Sequence, residues 1–311
     1  MTFLIYGCII IKPKLKNGDH PERKDKKMKK IISLILALTM VLGVAFTLAS
    51  CGQDEIIVRT NAYFAPFEYY DGTEIVGVDV DIMDLVGKKL GKKITWKDGD
   101  FGTIIDNVSE GKIADCGAAG ITITEARKEK VAFSNPYYTS IQYVVVPDGV
   151  TVATRTLDGV QYIVWEALAG MKIATQTDTT GWIYTEGEIN ATEEDEDYGY
   201  NGVLHGTGTE LVEMDNAQAA VDALNVSADV FIIDELPAKF LVENSSKSLK
   251  AYPLYYSGET ATDDAPVEEQ YAICVTKGNT ELLDAINEVL AELGEEKIQE
   301  MVMEHMGLGD K

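Results

Sequence analysis

From residue 56 onward the chain alternates short β-branched runs with stretches of helical periodicity, and this alternation restricts it to α/β architectures. Ile56-Ile57-Val58-Arg59-Thr60 reads as a strand. The next periodic stretch offers Asp79 as a cap, Ile82, Met83, Val86 and Leu90 as one apolar face, Lys88 and Lys89 near its end, and Gly91 as its stop. A strand around Ile94–Trp96, a helix around Thr103–Glu110, the apolar run Cys116–Gly120 and a strand at Tyr143–Val146 follow. Later come Met171–Ala174, a helix near Ala217–Leu224, the run Val230–Ile233, a strand Tyr271–Val275 and a helical region from Glu281 to about His305. Strand, helix and strand at this spacing predict mostly parallel sheets. The pattern of 56–90 is loosely echoed by 171–224. Asp148–Ala169 and the acidic Glu186–Asp197 are the expected surface excursions.

The first fifty residues follow another logic. Residues 28–50 read MKKIISLILALTMVLGVAFTLAS, with Lys29 and Lys30 ahead of an apolar stretch, as in a secretory signal. Leu48-Ala49-Ser50-Cys51 closes that stretch with the pattern of bacterial lipoproteins, so the expectation is a leader removed before a lipidated Cys51, with a retained span as the rival reading. Two acyl chains on that cysteine, as in lipoproteins, anchor stably where one is marginal. The expected location is therefore the extracytoplasmic face of the cell membrane. Residues 1–27, ahead of Met28, read as an upstream start codon wrongly assigned.

Composition removes several classes of function. The 27 basic side chains face 51 acidic ones, a net charge of −24 that argues against any sequence-independent grip on nucleic acid. Cysteines at 8, 51, 116 and 274 lack CxxC spacing, and Cys116 and Cys274 sit in apolar runs, where buried free thiols are favoured over a disulfide. The run Asp195-Glu196-Asp197 hints at calcium, but an EF-hand needs Gly at 200 and Glu at 206, where the chain has Tyr200 and Gly206. No metal, no cofactor and no catalytic residue is expected, because no Ser-His-Asp, Cys-His or phosphate-loop arrangement occurs.

Four segments carry a resemblance: Asn61-Ala62-Tyr63-Phe64-Ala65-Pro66-Phe67-Glu68-Tyr69, Gly77-Val78-Asp79-Val80-Asp81, Ala119-Gly120-Ile121-Thr122-Ile123-Thr124-Glu125-Ala126-Arg127 and Phe133-Ser134-Asn135-Pro136-Tyr137-Tyr138. In this order they resemble the amino-acid-binding family of extracellular solute-binding proteins, family 3 type, that serve ABC importers. The likeness continues through Gln176–Gly181, Ile233-Asp234-Glu235 and Tyr271–Gly278. It implies a periplasmic-binding-protein-like fold of two α/β lobes, each on a mostly parallel sheet, joined by two crossover segments. Lobe one would span 54–142 and 258–311, lobe two 143–257. The implied partners are a free amino acid held in the cleft and the importer's membrane permease. The rival is an enzyme on the same fold, such as a cyclohexadienyl dehydratase.

A free amino acid brings a carboxylate and an ammonium that must both be desolvated, so each needs a charged partner. Arg127 fits the carboxylate, because its planar fork makes two parallel bonds where a lysine cannot. The resemblance places Gly120, Thr122, Thr179 and Thr180 around the head groups, gives the ammonium to Asp234, sets Phe64 and Phe101 beside the ligand side chain and includes Asn61. Taken singly, Arg127 reads as a solvated helix residue, Asp234 as a helix cap at a strand end, and Phe64 and Phe67 as core. Relatives of this type usually have Asp where this chain has Asn61, and Gly where it has Asp178. With one carboxylate lost from the cleft, the expectation is a neutral amino acid.

The leader makes one prediction of its own. Cys51→Ser should abolish diacylglycerol labelling and leave unlipidated protein or uncleaved precursor; unchanged labelling of the variant contradicts the lipoprotein reading.

Overall fold

The computed structural model describes residues 55–194 and 200–307, so the leader, Cys51 and part of the acidic run lie outside the described residues. In chain order the elements are β1 (Glu55–Thr60), β2 (Tyr63–Phe64), β3 (Glu68–Asp71), β4 (Glu74–Val76), α1 (Val78–Leu90), β5 (Lys93–Asp98), α2 (Ile104–Ser109), β6 (Cys116–Gly117), α3 (Glu125–Lys130), β7 (Ala132–Phe133) and β8 (Tyr138–Pro147). They continue with β9 (Arg155–Leu157), β10 (Val160–Val164), β11 (Lys172–Gln176), α4 (Thr180–Asn190), β12 (Glu210–Met214), α5 (Ala217–Ala223), β13 (Val230–Asp234), α6 (Glu235–Asn244), β14 (Leu249–Tyr255), β15 (Glu268–Tyr271), β16 (Cys274–Val275) and α7 (Thr280–His305).

Two sheets organise the chain. The first runs β5-β1-β6-β16-β7 and the second β12-β11-β13-β8-β14-β10-β9, with β15 pairing β8 and β2-β3-β4 forming a small sheet of its own. In each, three parallel strands take the order second, first, third, and an antiparallel strand from elsewhere in the chain closes the third: β16, later in the chain, beside β6, and β8, earlier in the chain, beside β13. The echo between 56–90 and 171–224 is thus a shared topology. β1 shows why its sequence is a strand: Ile56, Val58 and Thr60 are buried, so one face of the pleat enters the core. In α1 the apolar Ile82, Met83 and Val86 are buried, and Gly91 stops the helix in the left-handed conformation at φ 65°.

Several expectations need correction. Asp79 is not a cap: Gly77 holds that position and Asp79 turns its side chain into the interior from the first turn. The run Tyr271–Val275 is not one strand; Tyr271 ends β15, which pairs β8, whereas Cys274 and Val275 pair β6 and β7 in the other sheet. The stretch Asp148–Ala169 is no loose excursion. It contains the β9–β10 hairpin, which joins the second sheet through β14 and buries Tyr162, Trp165 and Leu168. Glu186 and Glu188 belong to α4, and Glu188 is buried and accepts a bond from the Val203 N–H at 2.9 Å.

The chain passes between the sheets from β7 to β8 and again from β15 to β16. Both passages meet one aromatic group. The ring of Phe67 lies 5.2 Å from Tyr138, 5.1 Å from Tyr271, 6.4 Å from Tyr137 and 6.0 Å from Phe64. Edge-to-face packing of this kind adds to the area the rings bury. Cys116 and Cys274 are buried free thiols in neighbouring strands of the first sheet. Among the described residues no helix is long and apolar enough to cross a membrane.

Candidate functional site: a charged cavity between the two sheets

The carboxyl ends of the parallel strands converge on one cavity. Open α/β sheets present their loops and helix starts there, which makes this edge the place where ligands are held. Asn61 follows β1, Phe101 follows β5, and Ala119, Gly120 and Thr122 follow β6; from the second sheet Gln176, Thr179 and Thr180 follow β11 and Asp234 ends β13. Phe64 from β2, Glu68 from β3 and Arg127 from α3 complete the lining. The structure therefore brings together all nine residues singled out from the sequence: Asn61, Phe64, Phe101, Gly120, Thr122, Arg127, Thr179, Thr180 and Asp234.

Arg127 is the cation of this cavity. Thr124 caps its short helix by accepting from the Arg127 N–H, which aims the side chain inward, and the residue is buried. Nη1 donates to the Thr122 carbonyl at 2.8 Å and Nη2 to the Asp178 carbonyl at 3.0 Å, while the guanidinium stands 5.4 Å above the Phe101 ring. Its remaining N–H groups are a fork without a carboxylate, and burial lowers its pKa. The residue is not the solvated helix position that it would be in isolation.

The first turn of α4 faces the same space. Thr179 caps it, accepting from the Trp182 N–H at 3.3 Å and donating to the Gln176 carbonyl at 2.7 Å. The first N–H groups of a helix have no partner within it and carry partial positive charge, which suits a carboxylate. Gly120 is required by space as well as conformation: its φ is +51°, and a Cβ there would stand 2.6 Å from the Phe64 ring.

Carboxyl groups dominate the rest. Asp234 precedes α6 but makes no capping bond; its Oδ1 accepts from the Tyr271 hydroxyl at 2.6 Å. Burial first, and repulsion from Glu269 second, hold its pKa well above the usual range. Gln142 donates to Glu269 Oε2 at 2.9 Å, yet Oε1 of each residue is buried without a partner. Asp79 accepts from the Gly120 N–H at 3.1 Å and the Tyr137 hydroxyl at 2.5 Å, and burial pushes its pKa up to about 6.

Glu68 is the residue that sequence reasoning missed. It is fully buried, both carboxyl oxygens lack hydrogen-bond partners, and it lines the cavity. Burial, then the neighbouring Asp79 and Asp234, raise its pKa well above the ordinary value. The signal was present, since Glu68 pairs across the β2–β3 hairpin with Phe64, a residue already assigned to the site. Ala119 and Gln176 also line the cavity from within recognised motifs.

This geometry overturns the premise for a neutral ligand. Asn61 spends its amide on structure, donating to the Gly99 carbonyl at 2.9 Å and accepting from Gln176 Nε2 at 3.1 Å. Asp178 does not line the cavity and is exposed. The cleft has not lost its carboxylate; Glu68 supplies one from a different strand.

Comparison with known proteins places the chain in a family. The sequence pattern of the bacterial extracellular solute-binding proteins, family 3, matches residues 56–307. Over 293 residues the chain is 26% identical to the arginine-binding extracellular protein ArtP of Bacillus subtilis (strain 168), covering 91% of this chain and 100% of that protein. Over 264 residues it is 25% identical to the lysine/arginine/ornithine-binding periplasmic protein of Escherichia coli (strain K12), with 83% and 90% covered. Among solved structures, an ancestral arginine-binding protein bound to arginine superposes with a TM-score of 0.63 at 29% identity, covering 81% of this chain and 97% of that one.

The buried carboxyls set a pH dependence. A carboxyl group whose pKa is raised on folding contributes stability that is complete below its unfolded pKa, near 4, and is lost as pH rises through the folded value. For Asp79 that window runs from about 4 to about 6, and burial shifts Glu68 in the same direction. Glu68→Gln removes one such loss, so the ligand-free variant should gain stability relative to wild type as pH rises. Thermal midpoints between pH 4 and 8 measure it; a variant that loses ground with rising pH contradicts the assignment.

Proposed function

Because the chain belongs to the bacterial extracellular solute-binding proteins of family 3, we propose that it captures a free basic amino acid between two closing lobes and delivers it to the permease of an ABC importer. The charge balance of the cavity carries this reading: Arg127 lines it together with Asp234 and with Glu68, whose carboxylate oxygens accept from no donor. A zwitterionic head group uses one cation and one carboxylate. A neutral side chain would leave Glu68 buried and unpaired, whereas a cationic one meets it, and a buried polar group without a partner is costly. The names of the relatives point the same way, to arginine, lysine and ornithine.

In this reading Arg127 and the start of α4 hold the carboxylate, Asp234 takes the ammonium, Glu68 takes the side-chain cation, and Phe64 and Phe101 pack its stem. Gly120, Thr122, Thr179 and Thr180 bound the head group, and Asn61 joins Gln176 across the cleft. The lobes are the units built on the two sheets, so in place of the expected bounds at 142/143 and 257/258 the second lobe takes β8 from Tyr138 and β15 to Tyr271, with the passages at β7–β8 and β15–β16 as crossover segments. A ligand that touches both lobes stabilises the closed form by its differential contacts, and the permease reads closure. Cys51 anchors the protein on the extracytoplasmic face. The protein acts as a receptor and leaves its ligand unchanged, in contrast to a dehydratase on the same fold.

A thermal-shift screen of the twenty amino acids tests the ligand class, since compounds that bind the folded state raise the midpoint. Arginine, lysine or histidine should shift it and be recovered intact; a shift confined to neutral amino acids, or conversion of the ligand, contradicts the proposal. Arg127→Lys keeps the charge but loses the paired geometry. Calorimetric titration of the basic ligand should show affinity reduced by about 2–5 kcal/mol, and equal affinities would remove Arg127 from the site.

A further inference from the structure

One contact across the cleft serves no head group. Asp178 lies in the turn between β11 and α4 with φ 64°, a left-handed conformation that Asp tolerates better than most residues. Its carbonyl oxygen accepts from Arg127 Nη2 at 3.0 Å, which ties a guanidinium from one lobe to the backbone of the other. Its side chain extends past the cavity to Gly102, in the 3₁₀ turn Phe101–Thr103. A Cβ on Gly102 would stand 1.9 Å from Asp178 Oδ2 and 2.8 Å from Cγ, where no side chain fits. Gly102 has no positive φ, so space and not backbone conformation demands the glycine. Both residues are exposed at the rim.

We propose that Asp178 and Gly102 form a latch between the lobes, a side chain seated against the missing one, and that this fit sets how long the ligand is held. The inference rests on the two-lobed receptor reading above. A residue that touches no ligand can set retention in this way, because the apparent affinity scales with the fraction of molecules able to close. It follows that changes at the latch alter affinity for every ligand by the same factor, whereas changes at Glu68 reorder the ligands. Arg127 links the two tasks: the fork offered to the ligand carboxylate is also bonded to the latch residue.

A double-substitution cycle tests the contact. Gly102→Ala inserts a methyl group into the seat and should weaken the binding of arginine and of lysine equally, by about tenfold or more, with faster dissociation and an unchanged ligand-free unfolding midpoint. Asp178→Gly keeps the left-handed backbone and the carbonyl acceptor and should cost only about threefold. Combined, the two should return to within about threefold of Asp178→Gly alone, because the methyl group then has room. Additive losses, or wild-type affinity in Gly102→Ala, overturn the latch. Fluorophores placed one on each lobe of the ligand-free protein separate this from failure of the receptor reading. A longer mean separation in Gly102→Ala, reversed in the double variant, supports the latch even if no amino acid binds; an unchanged separation in both overturns it.

Discussion

Buried charge must be compensated from within the protein or by what it binds, and this single constraint organises the cavity. Arg127 has spent two N–H groups on carbonyls and shares the cavity lining with the carboxyl groups of Asp234 and Glu68. Placing such groups in a low-dielectric cleft is unfavourable unless each meets a partner of opposite charge and suitable geometry. Asp234 has the Tyr271 hydroxyl and Asp79 has Gly120 and Tyr137, whereas Glu68 accepts from no donor and has only the neighbouring Asp79 carboxyl within hydrogen-bonding reach. Burial raises the Glu68 pKa, and under the proposed function the cationic end of the ligand is its partner.

The fold delivers these groups to one place through its repeated topology. In both sheets the second, first and third strands run parallel, so the loops after β1, β5, β6, β11 and β13 open on the same side. Where the chain passes between sheets, Tyr137, Tyr138 and Tyr271 pack on Phe67, and Phe67 directly precedes Glu68. The aromatic group at the crossings and the acid in the cavity are thus successive residues at one end of β3. The hydroxyls of Tyr137 and Tyr271 extend from the same group to Asp79 and Asp234. The aromatic group at the crossings is thus joined by hydrogen bonds to the carboxyls of Asp79 and Asp234.

Much of this was legible in the sequence because period and punctuation report local structure directly. Ile56–Thr60, the apolar face of α1 and the run before Asp234 fall where strand and helix patterns put them. Less legible was whatever depends on a distant partner. Tyr271–Val275 looks like one strand because both halves are apolar, yet its ends pair with different sheets. Asp148–Ala169 has a polar and irregular pattern, but its hairpin is completed by β14, some ninety residues away, and by Asp264, which binds Arg155 and Tyr162. Asp79 looked like a cap because local pattern records nothing of the Gly120 loop. Glu68 was overlooked for the same reason: a strand residue next to Phe67 shows its role only when the hairpin sets it opposite Phe64.

The central claim, that a buried carboxyl pairs with a cationic ligand side chain, is tested most directly by comparing arginine with citrulline, which keeps the length and planar end of arginine and lacks its charge. Calorimetric titration of the purified protein at pH 7.5 should give tighter binding for arginine by about 2–5 kcal/mol, the range for loss of one member of a desolvated charge pair. The same titrations on Glu68→Gln should shrink that difference. Equal affinity for the two ligands in the wild-type protein would contradict the account.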